Sequence, residues 1–65
     1  MKKLKTLRRR KKLTQKQLAE KAGLSQSYIN ELERGKKKNP SVVVLDKLAN
    51  VLEVSVMELL KNEED

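Results

Sequence analysis

Leu13-Thr14-Gln15-Lys16-Gln17-Leu18-Ala19-Glu20-Lys21-Ala22-Gly23-Leu24-Ser25-Gln26-Ser27-Tyr28-Ile29 is the stretch on which the fold depends. It opens with an apolar residue, Leu13, then a hydroxyl, Thr14, then Leu18 four positions past the hydroxyl, with Gln17 three past it. That spacing is a hydrophobic staple combined with a capping box. Thr14 accepts from an orphaned N–H of the first helical turn, and the Gln17 side chain bonds back to the Thr14 backbone. Leu24, Ser25 and Ile29 repeat the staple, and Val54, Ser55, Glu58 and Leu59 repeat both staple and box, so helices are expected to begin near 15, 26 and 56. Glu20-Lys21-Ala22-Gly23-Leu24-Ser25 leaves only a tight joint between the first two of these, the geometry of a helix-turn-helix unit. Ala19 is small where the two helices cross, and Gly23 supplies the positive φ that costs other residues about 1 kcal/mol or more. Leu18, Ala22, Leu24, Ile29 and Leu32 form the apolar faces that hold the crossing angle.

Upstream, Leu4, Leu7 and Lys11 recur at i, i+3 and i+7 with Arg8 beside them, which predicts a first helix over about residues 2–12. Downstream, Asn39-Pro40-Ser41 opens a fourth helix, with either Ser41 or Asn39 as cap and the proline tolerated in a first turn. Val44, Leu45, Leu48 and Leu52 share one stripe of that helix despite three consecutive valines of poor helical propensity, a short strand being the alternative. Gly23, Gly35 and Pro40 are the only punctuation, no repeat or linker divides the chain, and no other segment alternates with period two. The pattern is an all-α domain of five short helices, compact over residues 1–60, with 61–65 a polar carboxyl-terminal tail.

With 65 residues, one small domain is all that fits, and its core is marginal. Cysteine and histidine are both absent, which removes disulfides, the usual zinc sites and Cys–His or Ser–His nucleophiles, so no enzyme or metal is expected, carboxylate acid–base work being the one catalytic route left open. So small a core offers no pocket to read, and no cofactor or small-molecule ligand is expected. The longest apolar run, Val42-Val43-Val44-Leu45, is far short of the ~20 residues that span a bilayer, and an intracellular protein is expected. Lys and Arg number 16 against 9 Asp and Glu, a net charge of +7. The excess is lopsided: residues 1–38 carry 14 basic and 3 acidic side chains, residues 39–65 carry 2 and 6. A polyanion is implied for the first part, nucleic acid or an anionic membrane surface, against the plainer reading of lysines that only solvate.

Leu13-Thr14-Gln15 through Leu18-Ala19-Glu20-Lys21-Ala22-Gly23-Leu24-Ser25, then Tyr28-Ile29 to Leu32-Glu33-Arg34-Gly35, resembles the Cro/cI-type (XRE family) helix-turn-helix, and the resemblance continues to Leu60. Asn39-Pro40-Ser41 and Val54-Ser55-Val56 look most like the DNA-binding domain of SinR-type regulators. The resemblance implies a compact five-helix, lambda-repressor-like fold. In it the second helix spans the DNA backbone, the third lies in the major groove, and dimers read half-sites ~34 Å apart.

On that frame Ser25, Gln26, Ser27, Asn30 and Glu31 are the expected base contacts, at the start and on the outward face of the third helix. Gln26 and Asn30 are the better candidates, since an amide pairs bidentately with adenine N6 and N7. Glu31 departs from the neutral residue common at its place, and it either accepts from cytosine N4 or repels phosphates. Thr14 and Gln15 stand where a helix amino terminus favours a phosphate, Thr14 serving also as cap. Tyr28 either bonds a phosphate through its hydroxyl or packs against the second helix. Arg34, Lys36, Lys37, Lys38 and Asn39 would neutralise phosphates, giving affinity without sequence information. The resemblance pairs Arg8 with Glu33 as a structural, partly buried ion pair, so Glu33→Ala is expected to lower stability more than operator preference.

Residues 42–60 hold more apolar side chains than one small core needs, Val42, Val43, Val51, Val56 and Met57 being left over. A homodimer through Val51, Val54, Val56, Met57 and Leu60 is the expected use. The resulting reading is a sequence-specific DNA-binding transcriptional regulator, a repressor on a palindromic operator, cytoplasmic and nucleoid-associated in a prokaryote or phage. Alternatives are a restriction–modification controller, an antitoxin-type autoregulator, or a protein–protein adaptor of the same fold.

Overall fold

A computed structural model describes residues 1–37 and 40–61. Five helices follow in chain order: α1 (Lys2–Arg10), α2 (Gln15–Ala22), α3 (Gln26–Glu33), α4 (Val42–Leu52) and α5 (Val56–Leu60), with no strand among the described residues. Thr14, Ser25, Ser41 and Ser55 cap α2 to α5, each hydroxyl accepting from the backbone N–H three residues on at 3.0 to 3.2 Å. The box at α2 is complete, since the Thr14 N–H donates to Gln17 Oε1 at 2.9 Å. At α5 only half of the expected box forms. Glu58 turns its carboxylate to Lys3 and Lys61, each at 3.2 Å, because two ammonium groups outcompete one backbone N–H for a charged acceptor.

Two further expectations need correction. The first helix stops at Arg10 and not at 12. Lys12 takes a left-handed φ of 60°, and Leu13 N–H closes the end by donating to Arg8 O at 3.1 Å, which turns Leu13 toward the core. Pro40 lies just outside α4 instead of in its first turn, because Ser41 is the cap; Asn39, the other candidate, lies outside the described residues. Of the tail expected over 61–65, only Lys61 is described, and its extended φ of −63° and ψ of 142° end α5.

The core is built by α2 against α3 and α4, α4 against α5, and α1 against α3 and α5. Leu4, Leu18, Ile29, Leu32 and Leu48 are wholly buried and Leu59 nearly so. Ala19, the small residue expected at the α2–α3 crossing, is buried, as is Ala22. No helix of the described residues is long and apolar enough to cross a membrane.

Candidate nucleic-acid interface

Gly23 ends α2 in the left-handed region (φ 70°), and Leu24 N–H returns to Ala19 O at 2.9 Å, so the chain reverses within three residues and enters α3 at Gln26. Ile29, Leu32 and Glu33 are buried, which turns Gln26, Ser27, Asn30, Glu31 and Arg34 to the opposite face. With Gln15 from the start of α2 and Lys36 from beyond α3, these residues line an open groove of about 410 Å³. Amides, a hydroxyl, one carboxylate and two cations therefore converge on one surface. Gly35 (φ 78°) folds the chain after α3 so that Lys36 N–H reaches Glu31 O at 2.9 Å, bringing Lys36 to the groove edge.

Behind the groove lies an ion pair. Arg8 Nε and Nη2 donate to Glu33 Oε2 and Oε1 at 2.6 and 3.1 Å, and Arg8 Nη1 donates to Leu13 O at 2.8 Å. Both residues are only 8% exposed. Burial alone would push the Glu33 carboxyl up, but hydrogen bonds from Arg8 and Gln15 and the charges of Arg8 and Lys5 outweigh it and hold it below its ordinary range. The pair is thus the brace between α1 and α3 that the resemblance implied. It also does something the residue pattern did not disclose. Gln15 Nε2 donates to Glu33 Oε1 at 3.0 Å, and Asn30 Nδ2 donates to Gln15 Oε1 at 3.4 Å. A continuous set of hydrogen bonds runs from the buried pair to the groove. Its links join residues 15 and 18 positions apart, and no local spacing in the chain signals such a contact.

Of the expected base contacts, Gln26, Ser27, Asn30 and Glu31 line the groove. Ser25 does not, its hydroxyl oxygen accepting from Tyr28 N–H as the α3 cap. Thr14 is exposed and likewise engaged as a cap. Tyr28 is half-buried, its side chain packed against the core. Arg34 and Lys36 stand on the groove and Lys37 is exposed, whereas Lys38 and Asn39 lie outside the described residues. Among the residues expected at a dimer interface, Met57 and Leu60 are 72% and 54% exposed, while Val51, Val54 and Val56 are half-buried against the chain's own core.

A small helical unit with a glycine joint between two capped helices, and a polar, cation-edged groove over the second of them, is a helix-turn-helix domain. The chain belongs to that family, which it matches over residues 4–59. It is 45% identical over 62 residues to the HTH-type transcriptional regulator SinR of Bacillus licheniformis, a match covering 95% of this chain and 55% of that protein. It is 43% identical over 60 residues to the immunity repressor protein of Bacillus phage phi105, covering 92% of this chain and 41% of that one. The crystal structure of SinR, the master regulator for biofilm formation, in complex with DNA superposes with a TM-score of 0.89 at 42% identity, covering 92% of this chain and 95% of that chain. This chain spans about half the length of the curated relatives it matches. The XRE-type, SinR-like pattern and the five-helix fold read from the sequence are established together.

Proposed function

We propose that this chain is a sequence-specific DNA-binding transcriptional regulator, a repressor that occludes a promoter. The observation that carries the reading is the groove over α3, whose side chains match what a base edge offers and whose rim is cationic. The similar SinR chain, 95% covered by the match, is in complex with DNA, which supports the same use here. In this reading α3 enters the major groove, and Gln26, Ser27, Asn30 and Glu31 face base edges. Ser25 at the entry of α3 retains its hydroxyl proton for a base or a phosphate. Thr14 and Gln15 set the amino end of α2 against the backbone, where free N–H groups and the helix dipole meet a phosphate. Arg34, Lys36 and Lys37, with Lys38, Asn39 and the Tyr28 hydroxyl, supply further phosphate contacts that add affinity at every sequence alike. The DNA target assigns the protein to the cytoplasm, at the nucleoid of a prokaryote or a phage host.

A palindromic operator read by a homodimer completes the proposal. Exposed Met57 and Leu60 are the apolar side chains available on α5 for a two-fold contact, with Val51, Val54 and Val56 at its margin. Selection from a random duplex pool tests the whole reading: a recovered palindrome with half-sites about one helical turn apart supports it. Recovery of no preferred sequence contradicts it.

A further inference from the structure

The hydrogen bonds from Arg8 to Asn30 have a fixed direction. A guanidinium only donates and a carboxylate only accepts. Glu33 Oε1, already taking Arg8 Nη2, therefore admits Gln15 only through its amino group, at 3.0 Å. Gln15 Oε1 is left facing Asn30, which must then donate from Nδ2, at 3.4 Å. An Asn amide that gives one Nδ2 hydrogen to Gln15 keeps its other hydrogen and its Oδ1 for the groove.

We propose that Gln15 is a positioning residue for base reading, carrying the polarity of the buried Arg8–Glu33 pair to Asn30 so that this amide meets DNA in one orientation. The presented donor and acceptor match N7 and N6–H of adenine, and the inference rests on the DNA-binding reading above. Glu33 is 8% exposed and both amides are half-buried, so the first links lie where low dielectric strengthens them. The link to Asn30 is the longest of the set, which orients that side chain while leaving it free to close on a base. This role differs from the phosphate contact expected of Gln15. One Nε2 hydrogen and the Oε1 are engaged inside the protein, leaving mainly the backbone N–H at the start of α2 for a phosphate.

Gln15→Met keeps the length of the side chain and the backbone N–H but removes both amide bonds. Titration of the wild type and Q15M with the selected duplex, its single base-pair variants and a scrambled duplex separates the roles. Discrimination at one A·T pair should fall about tenfold or more, while affinity for scrambled DNA stays within about twofold. Equal weakening on every duplex, or unchanged discrimination at every position, overturns the assignment alone. A wild type that selects no sequence overturns the DNA-binding reading and the assignment with it. An independent readout needs no DNA: in the free protein, Q15M should move the Asn30 side-chain NH₂ resonances while the buried amides of α3 keep their shifts. Unmoved Asn30 resonances contradict the positioning role whatever the DNA result.

Discussion

Glu33 accepts three hydrogen bonds, two from Arg8 and one from Gln15, at 8% exposure. Glu33→Ala leaves the Arg8 guanidinium buried without its carboxylate and is expected to cost about 3 kcal/mol or more, read as a lower melting temperature. Because Gln15 hangs on the same carboxylate, the change should also blunt base discrimination, beyond the purely structural role the sequence suggested. The pH dependence has a definite sign. A carboxyl held below its ordinary value of 4.5 contributes stability that is present above that pH and is lost as pH falls through the folded-state value. Glu53, hydrogen-bonded by Lys11, and Glu58, hydrogen-bonded by Lys61 and Lys3, are shifted the same way. The melting temperature should therefore drop on acidification below the ordinary carboxylate range, and in Glu33→Gln the drop should be shallower. Equal slopes in the two proteins contradict that account. Arg8 and Glu33 were nameable through a family resemblance, but the Gln15 link was not, since it depends on rotamers chosen only after α1, α2 and α3 have packed.

Helix beginnings were legible because their signals are local. A hydroxyl, an apolar pair and an amide within six residues define the α2 start, and the hydroxyl with its apolar pair located α3 and α5. Endings were legible only where glycine marks them. Lys12 and Glu53 both take a left-handed φ of 60°, and neither residue type announces it. Gly23 and Lys12 therefore make opposite predictions. A Cβ at Gly23 meets nothing within 4 Å, so Gly23→Ala is expected to cost about 1 kcal/mol through backbone strain alone. Lys12→Gly should stabilise by about 1 kcal/mol by relieving the same strain. Denaturant midpoints moving in these two directions would bear this out, and a loss of stability in Lys12→Gly would contradict it. The box at α5 is only half formed because Glu58 has a distant competitor, Lys3, that only the tertiary fold brings near. Thr14→Ala should accordingly destabilise more than Ser55→Ala, by about 1–2 against about 1 kcal/mol or less.

The whole chain separates its two chemistries along its length. Cations gather over residues 1–38 and the exposed apolar side chains fall on α4 and α5. If α5 joins two copies, Met57→Lys should move sedimentation toward monomer and weaken operator binding. The melting temperature of dilute protein should stay the same, because Met57 is 72% exposed and contributes little to its own core. Undisturbed self-association in that variant would remove α5 from the interface. Composition and charge pointed to a polyanion, and the α2–α3 joint pointed to a helix-turn-helix, but the division between groove-lining and cap-forming residues needed coordinates. Ser25, for example, reads from the sequence as both cap and base contact, and only the packed structure shows its hydroxyl oxygen on Tyr28 N–H, which leaves the hydroxyl proton alone for DNA. In the DNA-binding reading the α3 groove distinguishes base sequence and does not merely attract phosphate. The most direct test is the affinity of the wild-type chain for its selected duplex and for a scrambled one, followed across salt concentrations. A groove that reads sequence should give about a 10³-fold or greater preference at near-physiological salt that persists as overall affinity falls. Equal affinities for the two duplexes, both vanishing as salt rises, would contradict it.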